Sequence, residues 1–256
     1  MSQLEALIFD VDGTLSDTER DGHRVAFNKA FAAAGLDWDW SVELYGELLA
    51  ITGGKERIRH FLNLHHPQML QEPGIDERIV NLHKSKTRFY VELLESGAIP
   101  LRVGVERLLR QSRDAGLRLA IATTTTPENV TALLKANLGE ESISWFEVIA
   151  AGDIVPAKKP APDIYVFALE HMGLGPDQCL ALEDSHNGVL SATAADLPVL
   201  ITVNGYTQDD DFLGAITVLD QFGESDNPAK VLAGKEIEGE YVTPEALKAL
   251  HQSAQV

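Results

Sequence analysis

The chain has 256 residues, of which 45% are hydrophobic, and carries a formal net charge of −18 at pH 7. A chain of this length can build a large core with an insertion and needs no disulfides for stability. The acidic balance excludes nucleic acid as a partner, because binding a phosphate backbone requires clustered lysine and arginine.

Cysteine content and apolar run lengths indicate where the protein works. The single cysteine, Cys179, cannot form an intramolecular disulfide, which favours the reducing cytoplasm. The amino terminus lacks the features of a signal peptide, and no apolar run reaches the roughly 18 residues of a membrane span. We therefore expect a cytoplasmic protein without a membrane partner, a monomer or weak oligomer that acts on a small molecule.

Five nearly continuous apolar runs predict strands that are covered on both faces. Helical patterns separate the later runs, and this βαβα order is typical of an α/β fold with a doubly wound parallel sheet. The predicted strands are Glu5–Phe9, Leu117–Ala122, Phe146–Ala151, Cys179–Glu183 and Pro198–Val203.

The stretch between the first two predicted strands shows helical periodicity and no convincing strand pattern. It is far longer than an ordinary crossover connection. We therefore predict a core domain of residues 1–17 and 100–223, an inserted α-helical cap of residues 18–99, and a tail of residues 224–256 with a short helix. Thr243 is the predicted N-cap of that helix, and Pro244 its first residue.

Polar side chains follow the predicted strands at their carboxyl ends, where parallel sheets bind ligands. Closely spaced carboxylates favour a hard cation such as Mg²⁺, whereas hydroxyl and ammonium donors favour an anion. A cation, a lysine and hydroxyls around a carboxylate hold a phosphoryl group during transfer. The carboxylates are Asp10, Asp12, Glu183 and Asp184, and the donors are Thr123, Thr124, Thr125, Thr126 and Lys159.

The segments "FDVDGTL", "ATTTT", "KKPAPDIY" and "LEDSHNG" resemble, in order and spacing, the four motifs of the haloacid dehalogenase superfamily of phosphohydrolases. The resemblance covers residues 4–222. It implies that Asp10 is a nucleophile that forms an aspartyl-phosphate and that Asp12 is a general acid and then a general base. It also implies that Thr123 and Lys159 hold the phosphoryl oxygens. Mg²⁺ would be bound by Asp10, Asp184 and the backbone carbonyl of Asp12, with Glu183 supporting these ligands.

The segment "LYGELLAITGGKERI" places two glycines at the start of a helix, where backbone N–H groups face an anion. With "DTERDGHRVAFN" and "HKSKTRFYVELL", it resembles the cap of the CbbY type of the superfamily, the xylulose-1,5-bisphosphate phosphatases. The resemblance implies sugar and second-phosphate contacts from Glu19, Thr52, Gly53, Gly54, Lys55, Glu56, Arg57 and Lys86. Val103 departs from the "RPG" that such chains often have after the cap, which puts the role of Arg102 in question.

These resemblances imply a Mg²⁺-dependent phosphatase that converts xylulose 1,5-bisphosphate to xylulose 5-phosphate, which in autotrophs would remove an inhibitor of the carbon-fixing carboxylase of the Calvin cycle. An alternative is a β-phosphoglucomutase-like mutase that uses the same aspartyl-phosphate and protects it from water. A third hypothesis is a non-catalytic phosphoaspartate receiver, which also combines an acidic cluster with threonine and lysine.

Overall fold

The computed structural model describes residues 2–254 as a mostly parallel sheet flanked by helices. The strands are β1 (Ala6–Phe9), β2 (Arg118–Thr123), β3 (Phe146–Ala151), β4 (Cys179–Glu183), β5 (Val199–Thr202), β6 (Thr217–Leu219) and β7 (Val231–Gly234). They form one seven-stranded sheet in the order β3-β2-β1-β4-β5-β6-β7, in which β7 alone is antiparallel to its neighbour. The predicted α/β fold with a doubly wound core is confirmed.

Helices cover both faces of this sheet because successive side chains of a strand point to opposite sides. Leu7 and Phe9 of β1 belong to one buried cluster, and Ala6 and Ile8 to the other. The helices are α1 (Arg24–Ala33), α2 (Val42–Leu48), α3 (Gly54–His65), α4 (Ile75–Glu95), α5 (Val105–Asp114), α6 (Pro127–Leu138), α7 (Asp163–Met172), α8 (His186–Ala194) and α9 (Pro244–Ala254). None of these helices, within residues 2–254, could cross a membrane.

Every regular element described between β1 and β2 is a helix. A π-helical turn, Glu19–His23, leads directly into α1. Helices α1 to α4 enclose an aromatic cluster in which Trp38, Trp40 and Tyr45 are buried.

Two segments of the chain lie side by side, one where the chain leaves β1 and one where it returns to α5. The Ser16 hydroxyl donates to the Pro100 carbonyl, and the Arg102 amide donates to the Leu15 carbonyl at 2.9 Å. The Arg102 guanidinium also donates to backbone carbonyls of Gly13, Thr202, Val203 and Asp220. Arg102 therefore ties both segments to the sheet, although the residue after it departs from the expected pattern.

The last part of the chain joins the sheet and its core. The apolar-run pattern missed β6 and β7, which are short, and β7 is largely exposed at the sheet edge. The predicted helix is present as α9, and the Thr243 hydroxyl accepts from the Ala246 amide at 3.1 Å, as expected of an N-cap. Leu247 and Leu250 of α9 are buried in the same cluster as Leu7 and Phe9.

We predict that Leu247→Ala lowers the free energy of unfolding by about 2–5 kcal/mol, because it leaves a cavity in the core. Chemical denaturation measures the change. Leu232→Ala in β7 is the matched control: Leu232 is 54% exposed, so its loss should stay within about 0.5 kcal/mol. Equal small losses in both variants would show that α9 contributes nothing to the core.

Candidate active site

A buried ion pair lies at the carboxyl end of β1. Asp10 follows β1 directly, and the Lys159 ammonium donates to its Oδ1 at 2.7 Å. The same ammonium donates to Glu183 Oε1 at the end of β4, and this oxygen also accepts from the Tyr165 hydroxyl at 2.5 Å. Lys159 is only 5% exposed, so its charge acts on these carboxylates with little screening by water.

Three carboxyl groups converge beside this lysine. One oxygen each from Asp10, Glu183 and Asp184 lies within 4.8 Å of the others. Asn204 donates to Asp184 Oδ2 at 2.6 Å. Gly13 has φ +93°, and a Cβ there would lie 2.1 Å from the same oxygen, so no side chain fits at this position.

The protonation behaviour of these acids fits a cation site. Burial raises the pKa of Asp10 to about 8, and burial together with the neighbouring acids raises the pKa of Asp184 well above its ordinary value. Burial would lower the pKa of Lys159, but Asp10 and Glu183 raise it instead. One ammonium does not offset three carboxylates, whereas the ammonium together with a divalent cation would. The all-oxygen donor set suits Mg²⁺.

Asp12 faces away from the three converging acids. Its Oδ1 accepts from the Thr18 hydroxyl at 2.5 Å and from His23 Nε2 at 2.7 Å, while Lys86 donates to His23 Nδ1 at 2.7 Å. Burial opposes ionisation, but His23 and Thr18 hold the pKa of Asp12 well below its usual range. The two carboxylates therefore differ in their surroundings: burial raises the pKa of Asp10, whereas the His23 imidazole lowers that of Asp12.

A cavity of about 480 Å³ opens above these groups. On the core side it is lined by Asp10, Thr123, Lys159 and Asp184, and Asp12 also reaches it. Four further predicted substrate contacts also line the cavity: Glu19, Thr52, Arg57 and Thr124. The cavity therefore brings together predicted site residues from the sheet and from the helical segment between β1 and α5.

The cap side of the cavity is built around Arg57, which is 7% exposed. Arg57 donates to the Tyr45 hydroxyl at 2.9 Å and to the Leu48 carbonyl at 3.2 Å. The Tyr45 hydroxyl in turn donates to Glu19, whose carboxylate lies 3.8 Å from Arg57. Tyr45 thus holds a cation and an anion on one wall of the cavity.

Three predicted substrate contacts from the cap have charged side chains that do not line this cavity, and their contact with substrate stays a prediction. Lys55 forms an ion pair with Asp153 of the core, and Glu56 forms one with Lys158 at 3.2 Å. Lys86 is 4% exposed and reaches Asp12 only through His23. Each of these charges is engaged by the protein itself.

The remaining predicted contacts outside the cavity form local hydrogen bonds or the start of a helix. Thr125 accepts from the Asn129 side chain at 2.9 Å, and Thr126 accepts from the Asn129 amide at 3.4 Å as the N-cap of α6. Gly53 and Gly54 form the start of α3. Only the first two threonines of the run therefore reach the cavity.

Several lining residues were missed by the sequence analysis. Asn204 follows β5. A search for polar residues at the carboxyl ends of all parallel strands would therefore have found it. Asn187, in the first turn of α8, donates to the Thr52 hydroxyl at 3.1 Å and so joins core to cap. Asp209, Asp210 and Asp211 lie on a loop whose folding no periodic pattern predicts.

Residues 4–196 match the family model of the haloacid dehalogenase-like hydrolases. The match covers well over half of the chain, so the chain belongs to this family.

Similar proteins of known family indicate which type of haloacid dehalogenase-like hydrolase the chain resembles. The chain is 46% identical over 225 residues to the plasmid-encoded protein CbbY of Cupriavidus necator, with 88% of each chain covered. It is 53% identical over 213 residues to protein CbbY of Rhodobacter capsulatus, with 83% of this chain and 91% of the relative covered. These similarities confirm the resemblance to CbbY-type phosphatases.

Solved structures of CbbY proteins are also similar to this chain. CbbY from Rhodobacter sphaeroides in complex with phosphate is 46% identical, with a TM-score of 0.78 over 85% of this chain and 94% of that one. A mutant of that protein in complex with xylulose-(1,5)bisphosphate is 45% identical, with the same TM-score and the same coverage of each chain. β-Phosphoglucomutase from Clostridium difficile is 19% identical with a TM-score of 0.74 over 98% of this chain and 99% of that one, which shows a shared fold alone. The chain is thus a phosphatase and not a phosphoaspartate receiver.

We predict that Tyr45→Phe raises KM for a sugar phosphate about tenfold, because Arg57 and Glu19 lose the hydroxyl that holds them on the cavity wall. Steady-state kinetics measure kcat and KM separately. Tyr241→Phe is the control, since Tyr241 packs against Arg107, away from the residues that line the cavity. An unchanged KM in Tyr45→Phe would show that this wall does not touch substrate.

Proposed function

We propose that the protein is a Mg²⁺-dependent sugar bisphosphate phosphatase that hydrolyses xylulose 1,5-bisphosphate to xylulose 5-phosphate and phosphate. The observation that carries the proposal is a cavity with Asp10 and Lys159 on one wall and Arg57 on the wall formed by the cap. A substrate with an anionic group at each end suits cations on opposite walls. The complex of a related CbbY mutant with xylulose-(1,5)bisphosphate supports the same substrate.

In the first proposed step, a carboxylate oxygen of Asp10 attacks phosphorus and the bond between phosphorus and the sugar oxygen breaks. Lys159 and Thr123 hold the phosphoryl oxygens, and Asp12 gives a proton to the leaving sugar oxygen. Asp12 can receive such a proton from His23 Nε2, which lies 2.7 Å from its Oδ1, as His23 Nδ1 takes a proton from the Lys86 ammonium at 2.7 Å. Asp10 then carries the phosphoryl group as an aspartyl-phosphate.

In the second proposed step, water attacks phosphorus, Asp12 takes its proton, and phosphate leaves while Asp10 is regenerated. Mg²⁺ would be held by Asp10, Asp184 and the Asp12 backbone carbonyl, and when bound it offsets the negative charge of the acids and the phosphoryl oxygens. Glu183 keeps Lys159 in place through its hydrogen bond to the ammonium.

A mutase differs from this proposal in the fate of the aspartyl-phosphate, which it must return to a sugar. The mutase structure among the similar folds shows no more than shared architecture, whereas the relatives of higher identity are CbbY proteins. We therefore place the mutase second. We further propose that the reaction takes place in the cytoplasm and serves carbon fixation by the Calvin cycle, and that the protein acts as a monomer or weak oligomer.

We predict that, with Mg²⁺, xylulose 1,5-bisphosphate gives the highest kcat/KM in a phosphate-release screen over sugar mono- and bisphosphates. Chelation of the metal should abolish the release. Asp10→Asn is the background control, because an amide neither attacks phosphorus nor provides an anionic ligand. Conversion of β-glucose 1-phosphate to glucose 6-phosphate without phosphate release would favour the mutase instead.

We predict that Asp12→Asn separates the two proton transfers. With xylulose 1,5-bisphosphate, turnover should fall about 10²–10⁴-fold, because the leaving alkoxide receives no proton. With p-nitrophenyl phosphate, whose leaving group needs no proton, rapid quench should show a burst of nitrophenol equal to the enzyme, followed by slow turnover. Asp37→Asn, at an exposed carboxylate of the cap, controls for loss of charge. Normal turnover of both substrates in Asp12→Asn would remove Asp12 from the chemistry.

A further inference from the structure

Four charged side chains meet outside the active-site cavity, where the first turn of α3 faces the loop between β3 and α7. Lys158 Nζ lies 3.0 Å from Asp153 Oδ1 and 3.2 Å from Glu56 Oε2, and Lys55 donates to Asp153. We call Lys55, Glu56, Asp153 and Lys158 the cap–loop cluster. Its charges pair across the boundary between the cap helices and the core.

The backbone approaches closely at this boundary. Gly53 has φ +97°, and a Cβ there would lie 2.3 Å from Glu56 Oε2 and 2.9 Å from Lys158 Nζ. A side chain at this position would therefore push Glu56 and Lys158 apart. The Lys55 ammonium holds the pKa of Asp153 at about 2 through a hydrogen bond, so that Asp153 remains charged throughout the neutral range.

The loop that carries half of this cluster also carries the lysine of the active site. Lys158 precedes Lys159, whose ammonium donates to Asp10 and Glu183. The loop is bonded to the start of α7 by the Ala157 amide, which donates to Asp163 at 3.3 Å. A force on Lys158 from the cap therefore acts one residue away from the group that holds the phosphoryl oxygens.

We propose that the cap–loop cluster is a latch that positions Lys159 when the cap lies against the core. Lys55 and Glu56 act on the loop and not on the substrate, so cap closure and the alignment of Lys159 are one event. The proposal rests on the proposed function only in that the phosphoryl group is held by Lys159. It assigns Lys55 and Lys158 as positioning residues for the reaction.

The exposure of the cluster suits a latch that opens in every catalytic cycle. Asp153 is 60% exposed, Glu56 44% and Lys55 30%. Exposed ion pairs of this kind shift an equilibrium by no more than about fivefold each. The latch can therefore favour the closed cap without preventing product release.

A double-mutant cycle between Lys55→Met and Asp153→Asn tests the latch. Each single variant should lower kcat/KM by about 2–5-fold, and the double variant should be no worse than the more impaired single variant. The losses should be proportional for xylulose 1,5-bisphosphate and for p-nitrophenyl phosphate, because both need Lys159. Their size should shrink with added salt, since the pairs are partly exposed.

Lys135→Met and Glu140→Gln provide the matched control cycle, because Lys135 and Glu140 form an exposed ion pair at 2.7 Å within the core. This cycle should leave kcat/KM unchanged, and thermal melting should show similar stability for both sets of variants. A loss confined to the bisphosphate in Lys55→Met, with Asp153→Asn inert, would make Lys55 a substrate contact and overturn the latch. The p-nitrophenyl phosphate arm keeps this test valid if xylulose 1,5-bisphosphate proves not to be a substrate.

Discussion

The charges buried at the carboxyl ends of β1 and β4 set the conditions for the rest of the structure. Asp10, Glu183 and Asp184 bring three carboxyl groups to one point, and Lys159 supplies one ammonium. Buried charges are costly unless they are paired and hydrogen-bonded. The flanking donors Tyr165 and Asn204 meet part of this requirement, and a divalent cation would complete it. The sheet, its helices and the loop of Lys159 are the frame that holds these groups close despite their repulsion.

In the proposed function, the cap has the further task of attracting an anion to a chain of charge −18. Long-range fields oppose the approach of a phosphate, and Asp209, Asp210 and Asp211 add to that field at the cavity. Arg57 and Lys159 must therefore act at short range, where water is excluded and charge interactions are strong. Tyr45 holds Arg57 on the cavity wall, and in the proposed function a substrate would meet both cations inside this cavity.

The sequence predicted those parts of the fold that follow from local pattern. Phe146–Ala151 and Cys179–Glu183 were predicted to the residue because buried parallel strands are continuous apolar runs. β6 and β7 were missed because strands of three or four residues are too short to form a distinct apolar run, and β7 is also largely exposed. Asp10 and Asp184 were predicted because polar residues at the carboxyl ends of parallel strands line a ligand site, and the same rule applies to Asn204 after β5. It could not place Lys55, because the direction of a long side chain depends on Asp153, which is distant in the sequence.

Asp10 and Asp12 show why two carboxylates so close in sequence can differ. Asp10 turns into the acid cluster of the core, where burial raises its pKa. Asp12 turns to Thr18 and His23, which lie on the segment that enters the cap helices. The surroundings of Asp10 are thus provided by the sheet, while those of Asp12 depend on where the cap lies. A movement of the cap would change the hydrogen-bond partners of Asp12 directly, whereas it would reach Asp10 only indirectly, through the cap–loop cluster and Lys159.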